Sequence, residues 1–456
     1  MDQYTNKNIV LFVTTLSSFL TPFMASSINI ALPSIGHEFS LNAVLLSWIP
    51  TSYILAAAMF LVPFGRVADI YGRKRIFLWG ILIYTIASLI SAISYSVIAL
   101  IASRVLQGIG SAMVFGTGVA ILTSVYPVEE RGKALGINVA GVYLGLSLGP
   151  FLGGFLTQQF GWRSIFWINV PLGIIIIGLI FWQFRSEWAE AQGEKFDLIG
   201  SLIYVPMLIA IMYGFSLLPT IIGFAIVGAG IIAAVAFVYW ELKTTHPILD
   251  INLFKNNTVF TFSNLAALIN YSATSAVGFL LSLYLQYIKG FDPQHAGFIL
   301  ISQPLMQAIF SPFAGRLSDK IEPQIVASIG MALTVLGLAS LIFLTSQTGL
   351  TVIIATLVIL GVGFALFSSP NTNAIMSSVE KKLYGIASGT LGTMRLSGQM
   401  LSMGIVMITF ALNIGHVQIL PQYYPLFLKS MQTAFIIFAL CCFCGIFASL
   451  ARGRLR

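Results

Sequence analysis

Segments of about twenty residues with no charged side chain follow one another along this whole chain, and each is long enough to cross the ~30 Å hydrocarbon layer of a bilayer at about 1.5 Å per helical residue. The runs are continuous rather than alternating, so they read as helices and not as barrel strands. Of the 456 residues, 57% are hydrophobic and only 8% charged, and the mean hydropathy is +0.93. That leaves far too little polar surface to cover a water-soluble globule. Breaks at charged or turn-rich stretches divide the chain into spans 9–32, 45–64, 76–94, 97–125, 134–157, 165–184, 197–217, 220–240, 258–287, 295–314, 324–345, 350–371, 385–411 and 424–450. The expected fold class is all-α, a polytopic membrane protein of about 14 transmembrane helices.

The first span follows a short start carrying only Asp2 and Lys7, exceeds a signal-peptide core in length, and holds Pro22, Ser26, Ser27 and Asn29, so it reads as a retained helix. A net charge of +8 would suggest nucleic acid in a soluble domain. Here the cations sort by loop instead. With the N-terminus inside, only Arg163, Lys289 and Lys429 fall outside, and Arg104 and Arg395 fall within predicted helices. The other cations, among them Arg185, Lys381, Lys382, Arg452, Arg454 and Arg456, lie on the inner side. That asymmetry places both termini in the cytoplasm and leaves nucleic acid no role. Cys441, Cys442 and Cys444 crowd one helix, which suits packing and neither a disulfide framework nor a metal site. His37, His295 and His416 are predicted in or beside outer loops and His246 in an inner one, as solvated or interfacial groups.

Three patterns lie on or between spans. Between the second and third spans, GRVADIYGRKR places Gly65, Asp69, Gly72 and Arg73 where glycines let helix ends approach, and Asp69 can face the positive N-terminus of a neighbouring helix. The fourth span carries RVLQGIGSA with Arg104 and Gln107; an intramembrane arginine costs about 2.5–3.5 kcal/mol on insertion scales and therefore faces a polar interior with partners. In the fifth span GVYLGLSLGPFLGG sets Gly141, Gly145 and Gly149 four apart, followed by Pro150, Gly153 and Gly154. Such spacing packs helices backbone to backbone, and the proline removes one helical hydrogen bond. An echo of the first pattern, Gly315, Arg316, Leu317, Ser318, Asp319 and Lys320, lies 250 residues further on and marks an internal repeat.

These three patterns resemble the motifs of the major facilitator superfamily. SSINIALP from Ser26, WRSIFWINVPLG from Trp162, FDLIGSLI from Phe196, HPILDINLF from His246 and SSPNTNAIM from Ser368 narrow the resemblance to its fourteen-helix drug:proton antiporter family. The resemblance implies two six-helix bundles, residues 1–184 and 257–456, joined by a connector, 185–256, that carries two extra helices. It also implies a prokaryotic cell membrane and an alternating-access exporter of small amphiphilic compounds driven by proton entry. Pro150 and its glycines then form a hinge motif, and Gly65, Asp69, Gly72 and Arg73 a gating latch.

One departure bears on the cargo. Where the family carries an acid in its first helix, this chain has Met24, and none of its fifteen acids lies near the middle of a span. A buried carboxylate both carries a proton and neutralises a cationic drug. Without one, the expected interior is neutral to positive, with Arg104 and Arg395 as charges and Asn29, Gln107, Asn264, Asn270, Gln303, Gln307, Asn371, Asn373 and Gln399 as hydrogen-bonding groups. The coupling or substrate candidates are Arg104, Gln107, Asn29, Arg395, Gln399 and Asn371, with Trp48, Tyr53, Tyr143, Tyr271 and Phe367 as possible wall residues. Neutral or anionic amphiphiles are favoured over dications. The alternatives are an uncoupled or differently coupled permease for an organic anion or lipid-like metabolite and, in another class, a non-transporting membrane receptor. Paired intramembrane carboxylates, a metal cluster and a nucleophile with its base are all missing from the pattern, so no enzyme, metal or cofactor is expected. No GxxxxGK[ST] occurs to bind ATP.

Overall fold

The structure is a computed structural model that describes residues 6–184, 186–245, 247–249, 251–380, 384–415 and 417–453, without the side chains of Val128, Glu129, Asn252 and Asp319. The expectations placed on Asp2, Arg185, His246, Asp250, Lys381, Lys382, His416, Arg454 and Arg456, and on the side chain of Asp319, lie outside the described residues. Among the described residues there is no β-strand, only an isolated bridge between Asn42 and Gln418. Fourteen helices are long and apolar enough to cross a membrane: Lys7–Glu38, Ala43–Tyr71, Arg73–Ala92, Val97–Val125, Glu130–Phe160, Ser164–Gln183, Leu198–Ser216, Ile221–Glu241, Thr258–Ile288, Pro293–Ser318, Pro323–Ile342, Leu350–Ser377, Ile386–Asn413 and Pro421–Ala451. The chain is an integral membrane protein with both ends of the described chain at one face, here the terminal face, opposite the far face.

Several helices overrun the apolar runs that announce them, because a helix stops at a cap rather than at its first charge, while the third and eleventh end short of theirs, at Ala92 and Ile342. The first begins at Lys7, where the Asn6 side chain accepts from the Asn8 amide at 3.0 Å, instead of at residue 9. Asn42, Ser96, Asp197, Asn257 and Asp292 start later helices in the same way. Three spans are broken. The ninth runs Thr258–Thr274, then Val277–Leu283, then a π-helical turn Tyr284–Ile288, and the amide of Ala276 at the break donates to the Ser402 hydroxyl at 3.0 Å. The sixth breaks at Ile168 and the tenth at Ile301.

The first and fifth spans meet along the glycine ladder. A Cβ on Gly145 would stand 2.4 Å from the Phe19 carbonyl oxygen, one on Gly141 2.8 Å from Thr15 Cγ2, and one on Gly153 2.7 Å from Ser27 Cβ. The Ser27 hydroxyl donates to the Gly149 carbonyl at 2.9 Å. Gly154 and Pro150 continue the contact to the tenth span, where a Cβ on Gly154 would meet the Pro293 oxygen at 2.4 Å and one on Gly297 the Pro150 oxygen at 2.2 Å. Gly65 turns the side without a Cβ to open space, while its backbone lies against the fourth span, where a Cβ on Gly116 would stand 3.5 Å from the Gly65 Cα.

Replacing Gly145 by Ala should lower stability by about 1–3 kcal/mol, because the new methyl meets backbone that cannot rotate away. Gly136→Ala, in the same helix but with open space around it, should be neutral or slightly stabilising. Thermal unfolding of the two detergent-solubilised variants checks the contrast, and equal midpoints would dismiss the ladder as the packing seam.

Candidate functional site

A cavity of about 230 Å³ lies among the first, second, fourth, fifth, ninth, tenth, twelfth and thirteenth spans. Asn29, Arg104, Gln303, Gln307, Arg395 and Gln399 give its polar lining; Tyr53, Tyr271, Phe279 and Phe364 give its aromatic walls. No carboxylate lines it. The first, fourth and thirteenth spans thus bring four of the expected candidates, Asn29, Arg104, Arg395 and Gln399, to one volume.

Arg104 is fully buried. Its Nε donates to the Ile49 carbonyl at 3.3 Å, its Nη1 donates to the Gln107 side-chain oxygen, and its guanidinium stacks over Tyr53 at 4.3 Å from the ring centroid. Gln107 in turn donates to the Ser88 hydroxyl at 2.8 Å, and Tyr53 and Ser111 share a 2.7 Å hydrogen bond. Gln107 therefore supports Arg104 from behind and does not line the cavity. The Arg104 Nη2 remains without a partner, as does the Nε2 of Gln307, which is 5% exposed. Two buried donors thus lack acceptors at the cavity wall, and an acceptor-bearing ligand or water satisfies them. From the other side the Arg395 guanidinium lies over Tyr271 at 5.0 Å from the centroid, the counterpart of the Arg104–Tyr53 stack.

Asn371 lies elsewhere. Its side-chain NH2 donates to the Ser263 carbonyl at 3.1 Å, and its oxygen accepts from Arg452 Nη1 at 3.1 Å. The sequence placed Arg452 among the solvated inner cations, yet it is 1% exposed, and burial pushes its guanidinium down to about 10, still charged at neutral pH. Met24 is fully buried against the Asn169 amide at 3.4 Å and does not face the cavity. Phe367 packs in the core, and Trp48 against a satellite apolar cluster.

The Gly65–Arg75 motif forms a second cluster at the terminal face, completed by residues the sequence left in a polar connector. Arg73 is 7% exposed. Its Nε donates to Asp69 Oδ1 at 2.9 Å, and its two terminal nitrogens grip Glu190 at 2.6 and 2.9 Å, a bidentate fork. Ser124 accepts from Nη1 at 2.9 Å. Arg73 thereby holds the Glu190 carboxyl below its ordinary value. Asp69 was expected to face a neighbouring helix N-terminus. The third helix is capped instead by Glu187, whose Oε1 accepts from the Lys74 amide at 2.8 Å, because Asp69 is occupied by Arg73 one turn away. Gly72, at φ 119°, makes this possible: a Cβ there would stand 2.5 Å from the Glu187 carboxyl carbon. Backbone bonds from Arg73 N to Trp188 O at 2.8 Å and from Ala191 N to Asp69 O at 2.9 Å, together with an Arg66–Glu194 ion pair, fasten the connector across the motif. Pairing between a loop and a motif over 110 residues away has no periodic signal; the run of Glu187, Glu190 and Glu194 beside a basic motif was the one hint.

The model of the Major Facilitator Superfamily matches residues 14–403 and again 263–455. The chain is 30% identical to the riboflavin transporter RibZ of Clostridioides difficile (strain 630) over 96% of both proteins. It is 29% identical to the multidrug resistance protein Stp of Mycobacterium tuberculosis (strain CDC 1551 / Oshkosh) over 87% of this chain and 75% of that one. Among solved structures, a bacterial homologue of the human lysosomal transporter Spinster, in an inward-facing and unoccupied conformation, superposes with a TM-score of 0.72 at 17% identity, covering 99% of this chain and 98% of that one. The chain belongs to the major facilitator superfamily and is a membrane transporter for a small-molecule substrate.

Proposed function

We propose that this transporter exports small amphiphilic compounds, neutral or anionic, by alternating access and in exchange for protons, with both termini on the cytoplasmic side of a prokaryotic cell membrane. In this reading 1–184 and 257–456 rock as two six-helix bundles about the cavity, and 185–256 supplies the connector and extra helix pair. The observation that carries it is the cavity's make-up: two guanidinium groups, four amide side chains, aromatic walls and no acid. Such a lining offers donors to an acceptor-rich or negatively charged ring system and repels a dication. A relative named as a multidrug resistance protein supports export.

Hydrogen bonds between the first six and last six spans support a state closed at the far face. Ala43 N donates to Val417 O at 3.1 Å, Ser282 Oγ to Asn29 O at 2.7 Å and Gln286 Nε2 to Ile30 O at 3.0 Å, each in the half away from the termini. A second reading, a metabolite permease, is favoured by one observation, the relative matched over 96% of its length that is named for riboflavin. The flavin ring is uncharged and rich in acceptor atoms, so the same cavity suits it.

In proteoliposomes under an imposed proton gradient, a neutral or anionic amphiphile should drive proton flux and a dicationic dye should not. Arg395→Gln should weaken an anionic substrate about tenfold to a hundredfold, the range of one charge-assisted hydrogen bond, and a neutral one much less. Clear dication transport abolished by replacing Arg104 would overturn the charge assignment, and substrate movement without proton flux would move the permease reading to first place.

The terminal-face cluster serves as the latch. Asp69→Asn and Glu190→Gln should each slow the conformational cycle while leaving equilibrium substrate binding within about twofold; single-turnover flux separates the two, and unchanged flux in both removes the latch. Because Arg73 depresses the Glu190 pKa, the pair's contribution is full above about pH 4.3, the ordinary glutamate value, and is lost only as pH falls below it toward the folded value. The latch should therefore be indifferent to pH between 6 and 8.

A further inference from the structure

The seventh and eighth spans carry an arrangement that the cavity and the latch leave unexplained. Asp197 begins the seventh span, with Oδ1 accepting from the Gly200 amide at 2.8 Å, and the Trp240 indole N–H reaches Oδ1 at 3.1 Å and Oδ2 at 3.0 Å. Glu241 ends the eighth span. It is 1% exposed, although the helix it closes has only 17% of its apolar window covered by protein. Glu241 Oε2 accepts from the Leu249 amide at 2.9 Å, while Oε1 is buried without a hydrogen-bond partner. That orphan oxygen and Asp197 Oδ2 converge beside Gly200, at 2.5 and 2.4 Å from the point where its Cβ would stand. Glycine is what leaves them room to meet.

Two acceptor oxygens facing each other in a buried place repel when both carboxylates are ionised and bond when one proton lies between them. Among the described residues no cation neutralises the pair: Arg66 is held by Glu194, Lys243 by the Tyr239 hydroxyl, and Lys195 is exposed. His246 and Asp250 of the neighbouring segment lie outside the described residues. A metal ion fits poorly. The other three carboxylate oxygens already accept N–H groups, whereas a hard cation takes about six oxygens.

We propose that Glu241 and Asp197 bind a single proton between them at neutral pH and that this proton fastens Leu249 to the helix pair. Deprotonation sets two charges against each other and pulls Glu241 away from the Leu249 amide. The extra helix pair thereby acquires a pH-dependent tether, independent of what the cavity carries.

Infrared spectroscopy of the full chain in lipid vesicles tests this, following the protonated-carboxyl C=O stretch as pH is raised from 6 to 10. The wild type should show a band that persists well above the ordinary glutamate value of about 4.3 and disappears on alkalinisation. Glu241→Gln should remove that band. Asp197→Asn should keep a Glu241 carboxyl that gives up its proton at lower pH, the opposite of what burial alone would produce. Hydrogen exchange at the Leu249 amide should accelerate about fivefold to tenfold as the band is lost. Absence of the band in wild type at pH 6, its survival in Glu241→Gln, or its displacement by sodium ions at constant pH overturns the proposal. Should Glu241→Gln fail to fold, the wild-type titration and Asp197→Asn decide it, and Leu249 exchange that ignores the band removes the tether.

Discussion

A bilayer supplies no hydrogen bonds, so every polar group this chain carries across it must be answered by the chain itself. Arg104 shows the constraint most fully. One buried guanidinium takes up a carbonyl of the second span, an amide of its own helix and the face of a tyrosine, and its supporting amide reaches the third span. Those bonds fix three helices around one charge. They still leave one nitrogen unmatched at the cavity wall. At the cavity wall that unmatched donor supports the reading of this volume as the ligand site.

The same constraint explains how much could be read from the sequence. Fourteen apolar runs bounded by charge are a direct imprint of hydrocarbon thickness, and the helices lie on them. Some ends were set too short, since the first helix runs on to a cap at Asn6 and the fifth includes Arg131 and Lys133, charges that a helix end tolerates once it leaves the apolar layer. The breaks at Ile168 and Ile301 each lie three residues before a proline, Pro171 and Pro304, which cannot donate to the carbonyl four residues back, a signal that the reading of apolar runs passed over, whereas the break at Ala276 has no proline beside it. Arg104, Arg395, Asn29 and Gln399 were legible because an uncommon polar residue in an apolar run must face inward. Arg452 and Asn371 were misplaced for a related reason: sequence position puts an arginine near a membrane face, but whether it turns to water or inward onto Ser449 and Asn371 depends on neighbours brought in from other spans.

The two faces are held by different chemistry. At the far face, contacts between early and late spans combine the close approach of Gly154 and Gly297 to the Pro293 and Pro150 carbonyls with side-chain bonds from Ser282 and Gln286 to the Asn29 and Ile30 carbonyls. At the terminal face the strong bonds run from Arg73 and Arg66 to the connector that leads into the seventh span, and that span leans on the second through the Tyr204 hydroxyl and the Ala58 carbonyl at 3.2 Å. A change at the terminal face therefore meets these ion pairs wherever the connector moves relative to the second and third helices, which is the motion the latch resists.

The absence of a carboxylate in the cavity is an energetic statement as well as a compositional one. At an effective dielectric of about 20, a unit charge about 6 Å from a guanidinium gains or loses about 3 kcal/mol, or roughly two orders of magnitude in affinity. Arg395 has no carboxylate beside it to cancel that field, so a dication next to it bears the repulsion twice and an anion gains it once. Flanking tyrosines deepen the preference for flat ligands without reversing the sign, since each aromatic face is already turned toward its own arginine. Proton movement, if it accompanies the cargo, must then use groups outside the cavity wall or water held between the two arginines, because no acid in the lining is available to carry it.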